Sequence, residues 1–287
     1  QQRREAVMSP ETAVSSETGT VKTAPASKLA SVFARCKAEG RAALIGSLPV
    51  GYPTVEKSIE SFRTMVEAGC DIIEVGVPYS DPVMDGPTIQ EAAELALTNG
   101  VRVRDVFTAV KAITEAGGAA VVMSYWNPVL QYGVDRFAHD LAEAGGAGVI
   151  TPNLIPEEGA AWHEASDKHG LDRIYLVAPS STTERIALTV DASRGFVYAA
   201  STMGVTGARD SVSNAAPELC ARVRAYSGIP IGVGLGVRNR EQAAEIAAYS
   251  DGVIVGSALV TAAHAGQDRL RELVAELAEG VRGHRAL

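Results

Sequence analysis

The chain has 287 residues, 46% of them hydrophobic and 21% charged, with a net charge of −8. That composition supports a large core, and the acidic balance excludes the basic footprint that nucleic acid or an anionic membrane requires. No apolar run reaches the length of a membrane span, and the N-terminus lacks a signal-peptide core. A phosphate could still be held by backbone amides, which leave no trace in a charge count.

Residues 1–26 are polar, rich in Ser, Thr and Glu, and without periodicity, so they are expected to form a disordered tail ahead of a single folded unit over 27–287. "SKLASVFARCKAEG" reads as a first helix ending at Gly40. Eight short apolar runs then follow, at 42–48, 71–77, 119–125, 147–153, 173–179, 195–201, 229–236 and 251–257. They are β-branched and nearly continuous, which marks parallel strands covered on both faces. Between them lie helical stretches. One puts Val55, Ile59, Phe62 and Val66 on a single face, and others start at Val103 and Val134, each ending in glycine. Eight alternating β and α units predict an α/β fold, a single (β/α)8 TIM barrel. An open doubly wound sheet is the competing architecture, but "GVGLGVRN", with Gly232, Gly234 and Gly236, lacks the third glycine at the spacing of a dinucleotide fingerprint and comes late in the chain.

Function in such a barrel sits at the C-terminal ends of the strands. Glu74 lies near the end of the second run, in "IIEVG". Pointing into the barrel mouth it would be desolvated and suited to proton transfer; pointing outward it would be an ordinary paired carboxylate. Asp85 follows in "VMDGPT", where a second carboxylate near the same cavity could divide the acid/base work and substrate anchoring. Asp81, before Pro82, reads as a functional acid or as a turn former. Trp126 either lines a pocket or packs on a helix, and Asn127-Pro128 reads as a turn. The sixth run opens into "STMGVTGARD", whose Gly204, Thr206 and Gly207 suit a phosphate nest, a closing lid or a plain connection. After the seventh and eighth runs come "VGLG" and "VGSA". Gly234, Gly236 and Gly256 admit close backbone approach there, and Ser257 adds a hydroxyl at a helix start. Together they point to a phosphorylated ligand.

Three scattered cysteines, Cys36, Cys70 and Cys220, fit neither a disulfide framework nor a zinc site and suggest a reducing cytoplasm. None of the five histidines follows a strand, so no metal site is expected. No lysine lies within a strand core, which disfavours Schiff-base chemistry.

Several of these strings resemble one family, the tryptophan synthase α subunit. "EVGVPYSDPVMDGPTIQ" is similar to its E-[LV]-G-x-P-[FY]-S-D-P-x-x-D-G-P-x-I-Q segment, "MSYWNPVLQYG" to its third-strand segment, "GVTGAR" to its G-V-T-G loop, and "GVGLGV" and "VGSALV" to its phosphate loops. The resemblance implies a TIM-barrel lyase that cleaves indole-3-glycerol phosphate to indole and glyceraldehyde 3-phosphate. Glu74 would be its general acid/base. Asp85 would sit at the indole N–H, and Tyr198 near the reacting carbon. Gly207, Gly236, Gly256 and Ser257 would hold the phosphate. Loops bearing Asp81 and Thr206 would close over substrate and signal to a β subunit in an α2β2 assembly. No cofactor is implied for this chain, since pyridoxal phosphate belongs to the β partner. Two strings depart from the family pattern. "TPNLIPEEG" has Asn153 where an Asp is expected, which bears on coupling to β, and "SLPVGYP" stands for T-x-G-x-P. The alternatives left are a phosphosugar epimerase, for which metal-binding His and Asp are missing, and a purely regulatory barrel, against which the Glu74/Asp85 pair argues.

Overall fold

A computed structural model describes residues 26–82, 85–201 and 214–283. The expected tail, apart from Ala26, lies outside the described residues, as do Thr206 and Gly207.

Among the described residues, nine parallel strand segments form one sheet: β1 Ala43–Pro49, β2 Ile72–Gly76, β3 Ala119–Met123, β4 Gly148–Ile150, β5 Asp172–Ile174, β6 Leu176–Val177, β7 Val197–Ala200, β8 Ile231–Gly234 and β9 Gly252–Val255. Their order is β5-β4-β3-β2-β1-β9-β8-β7-β6. The two ends, β5 and β6, are separated by Tyr175 alone, so the sheet closes on itself as a TIM barrel. The expected fifth strand, 173–179, is therefore two pieces. Its first half pairs with β4 and its second with β7, and the Tyr198 amide reaches the Tyr175 carbonyl at 3.0 Å across the junction. Most of the other strands end before the apolar runs do. Several residues beyond the strand ends, among them Val77, Tyr125, Gly236, Gly256 and Ser257, line the mouth.

Continuous apolar strands still alternate, because successive side chains take opposite faces. Ala43, Ile45, Ile72, Val121, Phe196 and Ile254 share one cluster inside the barrel. Their neighbours Leu44, Ile73, Val75, Val122, Val197 and Val253 join the larger cluster between strands and helices. The N-terminal helix, Lys28–Ala38, starts where the Ser27 side chain accepts a hydrogen bond from the Ala30 amide. It packs Leu29, Val32, Phe33 and Cys36 into the inner cluster, with the Phe33 and Phe196 rings 5.4 Å apart. The helix thus plugs the floor of the barrel.

A buried ion pair ties the starts of β1 and β2. Both side chains are only 7% exposed. Arg41 donates from Nη1 and Nη2 to the two Asp71 oxygens at 2.7 and 2.8 Å, and the Leu44 amide donates to Asp71 at 2.8 Å. Losing Asp71 leaves the Arg41 charge buried, with the Glu39 carboxylate still accepting from its Nε at 2.7 Å. Asp71→Ala is expected to lower the unfolding free energy by about 3–5 kcal/mol, measured by denaturant titration.

Asn127 and Pro128, expected as a turn, lie instead in a short helix, Trp126–Tyr132. Pro128 falls in its first turn, where a missing N–H costs no intrahelical bond. Trp126 packs edge-on against Trp162 at 5.9 Å, away from the mouth.

Candidate active site

Strand pleat decides where Glu74 points. It stands two residues after Ile72, which is inside the barrel, so its side chain also faces inward, one layer higher. Glu74 is 2% exposed. Its register partner on β1 is Ser47, whose hydroxyl donates to Glu74 Oε1 at 3.0 Å. Among the described residues Oε2 is buried without a hydrogen-bond partner. Burial pushes the Glu74 carboxyl from 4.5 up to about 7; the Ser47 hydrogen bond pulls it back, and the negative charge of Asp85 raises it further.

A cavity of about 310 Å³ opens above this layer. Glu74, Asp85 and Tyr198 line it, and so do Gly236, Gly256 and Ser257. Ile89, Ala93, Met123 and Ile254 supply apolar wall suited to a flat aromatic ring. The Asp85 carboxyl is also raised by burial, with a hydrogen bond from the Tyr125 side chain opposing the rise. Tyr79 lies against Tyr125, their ring centroids 5.5 Å apart and tilted by 33°. Tyr198 is held as the neutral phenol, first by burial and then by the nearby charges of Glu74 and Asp85.

On the β8 and β9 side the backbone is exposed to the cavity. Gly236 has φ +72°, a conformation that favours glycine. Ser257 begins the helix Ser257–Ala265, with Gly256 as its cap residue, so first-turn amides stand at the cavity edge. Gly234 has a different constraint. A Cβ there would lie 2.5 Å from the Tyr198 hydroxyl oxygen. Gly234→Ala is therefore expected to displace the phenol from the mouth, keep the fold, and lower kcat/KM by about 10- to 100-fold, as small misplacements at a reacting centre do. Steady-state kinetics beside a circular dichroism melt would check it.

The raised Glu74 carboxyl also sets a stability signature. Below pH 4.5 the residue is neutral in both the folded and the unfolded chain and burial costs nothing. As pH rises through 4.5 toward 7 the unfolded chain ionises first, so the folded state loses stability, and above 7 it carries the full loss. The size is about 3 kcal/mol at about 1.4 kcal/mol per pH unit. Glu74→Gln removes this dependence. Its stability relative to the parent is expected to rise by about 3 kcal/mol between about pH 4 and about pH 9, read from urea unfolding of both proteins across that range.

Of the other residues singled out in the sequence, Asp81 is exposed and outside the cavity lining. Asn153 Oδ1 accepts from the Trp126 amide at 2.8 Å, serving the start of the Trp126–Tyr132 helix. Gly207 and Thr206 fall outside the described residues. Two contributors went unnoticed in the sequence. Ser47 sits inside an apolar strand, and its only signal was a hydroxyl at an inward pleat position. Tyr125 stands two residues beyond the end of β3, in the string already noted for Trp126. Among the described residues no cluster of three or more His, Cys, Asp or Glu could hold a metal ion.

A closed parallel barrel with two acids and two glycine loops lining one cavity at its C-terminal mouth is the build of a TIM-barrel enzyme acting on a phosphorylated substrate. The comparisons make the assignment particular. The family model for the tryptophan synthase alpha chain matches residues 33–287. The chain is 73% identical over 256 residues to the tryptophan synthase alpha chain of Nocardia farcinica, covering 89% of this chain and 96% of that one. It is 69% identical over 263 residues to that of Mycobacterium marinum, covering 92% and 98%. A solved chain of Mycobacterium tuberculosis tryptophan synthase superposes with a TM-score of 0.86 at 68% identity, over 90% of this chain and 100% of that one. The chain belongs to the tryptophan synthase alpha chain family, and it is a lyase of tryptophan biosynthesis.

Proposed function

We propose that this chain cleaves indole-3-glycerol phosphate to indole and glyceraldehyde 3-phosphate with Glu74 and Asp85 as the reacting pair. The phosphate rests on Gly236, Gly256 and Ser257; Gly207, which the family resemblance adds to them, lies outside the described residues. The indole ring lies along the apolar wall with its N–H on Asp85. Glu74 delivers a proton to indole C3, which turns the ring into a leaving group carrying positive charge. The Asp85 carboxylate opposes that charge as it develops. The bond from C3 to the glycerol carbon then breaks, its electron pair restoring the neutral indole ring. The glycerol hydroxyl on that carbon becomes the aldehyde and returns its proton to Glu74. Charge and protons balance without an external electron sink, so pyridoxal phosphate chemistry falls to the partner. A carboxyl near 7 suits a group that must both give and take a proton at neutral pH. Tyr198 stands by the reacting carbon.

The single observation that carries this reading is the convergence of Glu74, Asp85 and the two glycine loops on one cavity. The family resemblance assigns Asp81 and Thr206 to signalling toward a β subunit in an α2β2 complex; Thr206 lies outside the described residues. The Mycobacterium tuberculosis neighbour, solved as tryptophan synthase, supports that partnership. Three buried, unbridged cysteines support a reducing cytoplasm. The test is indole release from indole-3-glycerol phosphate, by the chain alone and with a β subunit added. Indole in either arm supports the reading; its absence from both overturns it.

A further inference from the structure

The two oxygens of Glu74 are not equivalent. Oε1 accepts the Ser47 hydroxyl at 3.0 Å, while Oε2 is buried, has no partner among the described residues and belongs to a side chain that lines the cavity. We infer that Ser47 is a positioning residue that confines the transferable proton of Glu74 to Oε2. The inference rests on Glu74 being the acid/base of the proposed reaction.

A hydroxyl donates well to a carboxylate oxygen or to the carbonyl oxygen of a neutral carboxyl, and poorly to the protonated oxygen. With Ser47 donating to Oε1, the neutral acid carries its proton on Oε2. The ionised form keeps the same hydrogen bond, strengthened by charge. One contact therefore serves both protonation states, and the carboxyl need not rotate between them. The atom that gives a proton to indole C3 is the atom that takes one from the glycerol hydroxyl. Backbone geometry enforces the pairing, since Ser47 and Glu74 are register partners on adjacent parallel strands and both face inward. Ser47 is not required for packing in the way Leu44 or Ile45 is, because it is half-buried at the cavity edge and a Cβ added at Gly256 would still be 3.9 Å from its own Cβ.

The experiment compares Ser47→Ala, Ser47→Thr and Glu74→Gln with the parent chain for kcat, KM and the pH dependence of indole release. Ser47→Ala is expected to lose about tenfold in kcat, the size of one hydrogen bond to a charged group. KM for indole-3-glycerol phosphate stays within about twofold, since no substrate contact is removed. The pH limb due to Glu74 moves to higher pH, because the hydrogen bond that favoured its ionised form is gone. Ser47→Thr, which keeps the hydroxyl, restores both. Difference infrared spectra against Glu74→Gln give a readout independent of turnover. The Glu74 carbonyl stretch shifts to higher frequency in Ser47→Ala as that oxygen loses its donor. A Ser47→Ala chain with unchanged kcat, pH limb and carbonyl stretch overturns the inference, and so do Ala and Thr variants impaired alike. Glu74→Gln separates the two claims. If it still turns over, the acid/base assignment falls; if it is dead while Ser47→Ala is unaltered, only the role of Ser47 falls.

Discussion

Glu74→Gln is expected to fold, bind a phosphorylated ligand and release no measurable indole. The substitution keeps the shape of the side chain, and the amide oxygen can still accept from Ser47. What disappears is the group placed to hand a proton to the ring from inside the barrel. A positioned acid or base contributes about 10²–10⁴-fold to rate, so kcat should fall by that factor. KM should change little, because the phosphate cradle is built from the loops after β8 and β9 and not from the Glu74 carboxyl. Turnover near the parent rate would remove Glu74 from the mechanism. The same variant is expected to gain stability above neutral pH, as derived from the burial of Glu74. Loss of activity and gain of stability from one atom change is what a group kept in a costly place for chemistry should show.

Asp85→Asn carries the second large effect. The asparagine oxygen can still accept the indole N–H, so ground-state binding should survive. The full negative charge that meets the developing cation is lost, and removing one such preorganised electrostatic contact costs about 10²–10³-fold in kcat. A second consequence is a shift in pH dependence. Asp85 raises the Glu74 carboxyl through its charge. Without it, the Glu74 limb of the pH profile moves to lower pH, opposite in sign to the movement expected on loss of the Ser47 hydroxyl. An Asp85→Asn chain with parental kcat and an unmoved limb would show that the two acids do not share a site.

The barrel was legible in the chain because its local signals agreed with its global form. Runs such as "DIIEVGV" could only be strands buried on both sides, and the glycines that end the helices fixed where each unit closed. The carboxylate inside that run was legible for the opposite reason: it broke the apolar pattern at a point where only chemistry repays burial. Legibility failed where the determining contact comes from a distant segment. Strand five splits because its two halves face different neighbours, which nothing within residues 173–179 announces. Asn127-Pro128 carries a turn signature that the start of a helix satisfies equally well. Ser47 was hidden because a serine in a strand is ordinary until register sets it beside Glu74, 27 residues later. Tyr125 was hidden likewise, since the carboxyl it holds is on another loop.

The helix seated in the barrel floor has a practical corollary for handling the enzyme. Ser27, at its start, donates to the buried carboxyl of Asp172, the first residue of β5, at 2.5 Å, so the chain enters the barrel at the end away from the mouth. A surface linker or affinity handle joined ahead of Ser27 would anchor the molecule by its closed end, with the substrate entrance turned toward bulk solution. Immobilised in that orientation the catalyst should keep its access kinetics, whereas attachment through the loops after β2 or β8 would obstruct the opening.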